Sequence, residues 1–198
     1  MLRPASMVLA LLVLLAGCGN SRTPVPSGSG PATPYRFRTI RYLPSGVQFE
    51  VPRDWSLAPS QPPLVATVSS GPALVAVWRY PRANPPPPPG ALAGARARLI
   101  RSVQARDPSF QLIRSKLVMV GAAPGVELDA TEQFQGQLRR VRSTHVFVEG
   151  AEVVLDEYAP PSLFRAVDHS VFSPLKRSLQ LFSPIPLPPV GPVKPIIP

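Results

Sequence analysis

The sequence predicts an α+β domain, an antiparallel meander of about six to seven strands covered by two or three helices. Three observations carry this reading. Runs with a side-chain period of two are joined by short turns rich in Gly and Pro. Apolar residues recur at helical spacing in two separate places. Both ends are too rich in proline and small polar residues to build either element.

Residues 46–51, Gly-Val-Gln-Phe-Glu-Val, alternate as a half-buried strand does, and Pro52 ends it. Residues 64–68 and 73–80 are apolar runs split by Ser69-Ser70-Gly71-Pro72, a hairpin signal. The proline tract at 85–89 reads as a stiff surface loop. Residues 91–106 read as a helix with Leu92, Leu99 and Val103 on one face and Arg98 and Arg101 opposite. Arg96 falls inside the apolar stripe, so it must snorkel or find a carboxylate. Four strands are expected next, at 110–120, 126–134, 138–148 and 151–158, with turns at 135–137 and 149–150. Phe164, Val167 and Val171 then repeat at helical spacing after Pro160-Pro161. Pro174 either interrupts that helix or begins a new turn, and residues 179–182 close the domain as a short strand.

The ends carry the address. Arg3 precedes an unbroken apolar run at 7–16, and small residues follow, which is the layout of an export signal. That run is too short to span a bilayer as a helix. The tetrad Leu15-Ala16-Gly17-Cys18 resembles the lipobox of bacterial lipoproteins. The resemblance implies cleavage between Gly17 and Cys18, a diacylglycerol on the Cys18 sulfur, and an acylated first residue. Residues 18–34 then form a flexible tether. Its sixteen residues after the cysteine, at ~3.3 Å each, could hold a domain at 35–182 roughly 50 Å from the membrane. Residues 183–198 hold seven prolines and read as an extended polyproline tail.

Composition agrees with export. Cys18 is the only cysteine, so no disulfide is possible in an oxidising compartment and the fold rests on its core. The chain has 21 basic and 11 acidic residues, with arginine outnumbering lysine 18 to 3. An exported protein does not meet the chromosome, which argues against nucleic acid. Anionic lipid, anionic wall polymer or another envelope protein remain as partners.

The opening Gly46-Val47-x-Phe49-x-Val51-Pro52-x-x-Trp55 is similar to the start of PsbP-like domains. The order of hairpin, helix, strand meander, helix and closing Ser178-Leu179-Gln180-Leu181 is similar too. That fold is shared by PsbP, the Ran-binding Mog proteins and the LpqN-type lipoproteins of actinobacteria. The resemblance covers about residues 40–182. It implies a sandwich-like fold and a non-catalytic binding or assembly role, and it carries over no functional residue.

Catalytic motifs are sparse. There is no Gly-x-Ser-x-Gly elbow and no His-Glu-x-x-His. His145 lies in phase with Val141 and Phe147, so it either packs on a sheet face or faces a pocket as a base. His169 and its neighbour Asp168 point about 100° apart on a helix and form no dyad. Glu127 and Asp129 share one strand face, and Arg140 and Arg142 share the facing one, so cross-strand ion pairs are expected. Arg139, Arg140 and Arg142 are the candidate anion-binding residues, because adjacent guanidinium groups can hold phosphate or carboxylate. Trp55 and Trp78 belong either to the core or to a binding cleft. No catalytic residue, metal or cofactor is assigned. The expected protein is a lipid-anchored envelope protein on the extracytoplasmic face of the membrane. The alternatives are an envelope hydrolase or transferase marked by His145 beside Glu127, or a binder of anionic lipid or polymer using one arginine patch.

Overall fold

A computed structural model of the chain describes residues 30–186. The lipobox with Gly17 and Cys18, and residues 187–198, lie outside the described residues. The strands are β1 Phe37–Tyr42, β2 Val47–Pro52, β3 Ser56–Pro59, β4 Leu64–Ser70 and β5 Ala73–Pro81. After the helix α1, Leu92–Arg106, come β6 Gln111–Val120, β7 Ala123–Phe134, β8 Gln137–Val148 and β9 Ala151–Ala159. Helices α2, Pro161–Val167, and α3, Ser173–Ser178, precede β10, Gln180–Leu181.

The strands divide into two antiparallel sheets rather than one meander. One has the order β1-β2-β10, the other β3-β4-β5-β9-β8-β7-β6. The expected meander is the β6 to β9 part of the larger sheet. Two short edge strands escaped the sequence reading. Strand β1 holds Arg38, Thr39 and Arg41, all exposed, and β3 is four residues ending in Pro59. Each offers the core too few side chains to show a period, Ile40 and Tyr42 in β1 and Leu57 in β3.

Local chemistry explains the joints. The β7–β8 turn places Gln135 at φ 52° and Gly136 at φ 73°, the twist a two-residue hairpin requires. Gly46 sits at φ 58°, and a Cβ there would lie 2.1 Å from the Phe182 carbonyl oxygen. Only glycine lets the closing segment approach, and the Phe182 amide donates to the Gly46 carbonyl at 2.9 Å. Pro174 begins a new turn. Residues Asp168–Phe172 form a π-helical segment between α2 and α3, and the Ser173 amide donates to the Asp168 carbonyl five residues back. The wider turn directs Phe164, Val167, Val171, Phe172 and Leu175 all into the core.

The main core lies between the two sheets and the α2–α3 segment. It is built from Val47, Phe49, Val51, Trp55, Val75, Val77, Val153, Leu155, Phe172 and their neighbours. Trp55 is core, and its indole nitrogen donates to the Ala32 carbonyl at 3.1 Å. The domain's contacts therefore begin inside the segment read as tether. They also pass beyond residue 182, since the Ile185 amide donates to the Leu43 carbonyl at 2.9 Å. A smaller core lies on the opposite face of the large sheet. There α1 sets Leu92 and Ala95 against Phe110, Leu128, Ala130, Val141 and Phe147. Arg96 is half-buried and makes no ion pair among the described residues, so it snorkels. Among the described residues no helix is long and apolar enough to cross a membrane.

Candidate functional site

The period of two sorts the polar residues of β7, β8 and β9 onto opposite faces of the large sheet, and the two faces treat charge differently. On the α2–α3 face, each carboxylate is gripped by cations. Lys176 donates to Glu127 at 2.5 Å, and Lys116 lies 3.1 Å from its other oxygen. Asp129 accepts from Arg114 at 2.9 Å and from Arg140 at 3.0 and 2.9 Å. Arg142 donates through Nε to Glu157 at 2.5 Å and also reaches Asp168, which Ser173 supports at 2.6 Å. Arg140 and Arg142 both lie over the Phe164 ring, at 5.1 and 5.5 Å from its centre.

The charges follow from these contacts. Burial alone would raise Glu127 and Asp129. Hydrogen bonds from Lys176 and Lys116 to the first, and from Arg140 and Arg114 to the second, outweigh it and hold both carboxyls below their ordinary range. Glu157 is fully buried, and burial pushes it up to about 7 against the pull of Arg142. The expected cross-strand pairs are thus present, with Asp129 registered against Arg142 but bonded to Arg140, one pleat along.

The three candidate anion-binding arginines do not form one patch. The Arg142 side chain is only 5% exposed and its donors face Glu157 and Asp168. Arg140 is held by Asp129. Arg139 points to the other face, donating to the Pro72 carbonyl at 3.0 Å and to Gln137 at 2.7 Å. Asp168 turns to Arg142 while His169 is exposed, so the two neighbours diverge as a helix requires.

The α1 face carries a cleft of about 390 Å³ between the C-terminal half of α1 and strands β5, β7, β8 and β9. Leu99 and Val103 form one wall, and Tyr80, Tyr158 and Val154 another. Its floor is a chain of polar groups. His145 Nδ1 lies 2.7 Å from Glu152, whose other oxygen accepts from Arg82 at 2.6 Å. His145 Nε2 lies 3.0 Å from Ser143 Oγ, and that hydroxyl lies 2.5 Å from Asp156. When Asp156 is ionised, Ser143 donates to it and accepts from the ring. When Asp156 is protonated the direction reverses, and the Ser143 proton points at His145 Nε2. Burial favours the second state, since it raises the Asp156 carboxyl against the hydrogen bond from Ser143.

Two further groups line the cleft without the compensation seen on the other face. Glu132 has no hydrogen-bond or ion-pair partner among the described residues. Burial and the nearby Asp107 and Asp156 push it up to about 7. Burial likewise raises the Tyr158 hydroxyl, with Asp156 and Glu132 adding to it. Arg139 stands opposite Glu132 in the β7–β8 register but turns away to Pro72. Trp78 stacks on Tyr80 at 6.0 Å at the margin of the cleft.

His145 therefore faces a polar cleft, but beside Glu152 rather than Glu127, which lies on the opposite face. Sequence reading had the phase of His145. It named Glu152 and Asp156 only among the acids crowding the meander and did not name Ser143, although the same period of two put Ser143 with His145 and Glu152 with Asp156. Among the described residues no group of three His, Cys, Asp or Glu is placed to hold a metal.

No protein-family model and no curated protein matches the sequence. Solved structures do match the fold. The solution structure of cyanobacterial PsbP from Synechocystis sp. PCC 6803 aligns with a TM-score of 0.57 at 12% identity, covering 78% of this chain and 96% of that one. LpqN of Mycobacterium tuberculosis, described as involved in cell envelope biogenesis, aligns with a TM-score of 0.51 at 14% identity, over 75% of this chain and 91% of that one. The Ran-binding protein Mog1p of Saccharomyces cerevisiae aligns with a TM-score of 0.51 at 8% identity, over 74% and 95%. The domain is an α+β fold of the PsbP-like type.

Proposed function

We propose that this protein is a lipid-anchored lipoprotein of the cell envelope whose PsbP-like domain has a non-catalytic binding or assembly role. The anchor rests on the Leu15-Ala16-Gly17-Cys18 tetrad behind its apolar run. The binding role rests chiefly on one observation, the open cleft under α1, lined by tyrosines and by Glu132 and Asp156, which have no ion-pair partner among the described residues although Arg106 shares the cleft. Clefts of this size with a few convergent polar groups take small ligands or protruding side chains. The involvement of LpqN in envelope biogenesis fits this reading. Arg140 and Arg142 are committed to acids inside the domain and Arg139 turns to the other face, which weakens the alternative of an anionic lipid or wall polymer held by one arginine patch. Acylation is tested by Cys18→Ser, which should leave the protein unprocessed or move it to the soluble extracytoplasmic fraction. A variant that stays membrane-bound and normally cleaved refutes the anchor.

One observation favours a second reading, an envelope hydrolase. Ser143, His145 and Glu152 stand in the order nucleophile, base and orienting acid, at 3.0 and 2.7 Å. Against it, the Ser143 hydroxyl is shared with Asp156 and lies in the middle of a strand rather than at a turn. A chromogenic acetyl ester separates the readings. The binding reading expects no turnover above that of the Ser143→Ala variant. Turnover lost in both Ser143→Ala and His145→Gln, in proteins that melt normally, establishes the hydrolase.

A further inference from the structure

Strand β6 closes one side of the large sheet, and among the described residues nothing pairs with its outer edge. An edge strand presents a row of free backbone donors and acceptors, and folded proteins usually blunt it. The other edges here are blunted. Strand β3 is four residues ending in Pro59, with Pro62 and Pro63 close behind. Strand β10 is two residues long, and β1 carries exposed Arg38 and Arg41. Strand β6 is ten residues long. Its first half is disrupted by a bulge between Leu112 and Arg114, but its second half runs in unbroken register. That second half exposes Leu117 and Met119, 43% and 62% accessible.

The flanking chemistry says what would fit. On the α2–α3 side of the edge stand Arg114 and Lys116, joined from α3 by Lys176 and the exposed Arg177. On the α1 side stand Leu117 and Met119. A groove of about 440 Å³ runs along the strand between β6 and α3. A strand added here would meet Arg114 and Lys116, with Val118 and Val120 beyond them, on one face, and Leu117 and Met119 on the other. The inner neighbour of β6 shows the complement. Strand β7 alternates Val126, Glu127, Leu128 and Asp129, setting Glu127 against Lys116, Val126 against Leu117 and Asp129 against Arg114. A second copy of β6 would instead bring Arg114 and Lys116 against the same two bases, with Lys176 and Arg177 of each α3 close by, in a chain whose net charge is +10.

We propose that the outer edge of β6, over residues 114–120, accepts an extended strand of a partner protein in which acidic and apolar residues alternate. The mode is strand addition, with backbone bonds supplying affinity and the two-faced alternation supplying choice of partner. This surface is separate from the cleft under α1, and neither proposal depends on the other.

The test uses the full chain and a fluorescent peptide of alternating Val and Glu, roughly eight residues long to span the edge. Saturable binding is expected, weakening as salt rises, with slowed amide exchange at residues 116–120. The double variant Leu117→Lys with Met119→Lys should weaken it by about ten-fold or more, and Arg177→Glu by about three-fold. Arg177 makes no ion pair among the described residues, so its replacement tests charge without disturbing the fold. The proposal is overturned if the wild-type chain does not bind. It is also overturned if a peptide of alternating Val and Lys binds equally well, or if binding survives both variants. Sedimentation of the wild type as a dimer that Met119→Lys dissociates would assign the edge to a second copy and likewise overturn it.

Discussion

The two faces of the large sheet carry similar side chains and use them in opposite ways. Toward α2 and α3, Glu127, Asp129 and Asp168 each meet cations at hydrogen-bond distance, and their carboxyls are held below the ordinary range. Glu157, buried deepest there, is raised to about 7 even with Arg142 beside it. Toward α1, Glu152 is held low by His145 and Arg82, but Glu132 and Asp156 lie in an open cleft with no ion-pair partner among the described residues, and both are raised. The difference is one of cover. A face sealed by helices must neutralise each buried charge or lose stability. A face covered along only part of its width can leave charge uncompensated, with water or a ligand to complete it. The sealed face is therefore read as structural and the open one as the site.

The largest effect should come from breaking the sealed face. Arg142→Ala leaves Glu157 buried without its partner and should cost about 3–5 kcal/mol in urea unfolding. Replacing Arg142 and Glu157 together with Met should recover most of that loss. If the single variant costs no more than an exposed pair would, the sealed face is not structural.

Next comes Glu132→Gln on the open face, where the prediction is one of pH. In the folded chain Glu132 titrates at about 7, against an ordinary 4.5. The folded state thus holds a proton that the unfolded state has released, and stability falls as pH rises from 4.5 to 7. Glu132→Gln should remove that fall, raising Tm at pH 8 by about 2–4 °C and leaving it unchanged near pH 4. Asp129 has the opposite sign. Its lowered carboxyl stabilises the fold above the ordinary range, and that stability is lost as pH falls. An equal Tm gain for Glu132→Gln at both pH values would mean that its carboxyl is compensated after all.

A smaller effect is expected from Ser143→Ala, about 0.5–1.5 kcal/mol for one lost hydrogen bond. The smallest should come from Lys116→Ala. Its side chain is 54% exposed and Lys176 still holds Glu127, so the cost should be ~0–1 kcal/mol. A larger loss there would show that the edge strand depends on that pair.

How much of this was legible in sequence depends on distance along the chain. The β7–β8 hairpin could be read because Gln135-Gly136 and the flanking alternation lie within one local window. The face of α1 could be read for the same reason, from Leu92, Leu99 and Val103. Strands β1 and β3 could not, because each offers the core only one or two side chains, Ile40 and Tyr42 in β1 and Leu57 in β3, too few to show a period. The three arginines of β8 could be assigned to their faces but not to their partners. Arg142 meets Asp168 only because α2 and the π-helical turn fold back across β8 and β9.

The sequence by itself determined the α+β class and the two-faced alternation of the meander. These depend on neighbouring residues and on the fixed periods of helix and strand. Only the tertiary structure decided which face would be sealed, which acids would find a cation, and that Ser143, His145, Glu152 and Asp156 would line one cleft. Those outcomes depend on where α1 and the α2–α3 segment come to rest. That position is set by long-range packing, which no local period encodes.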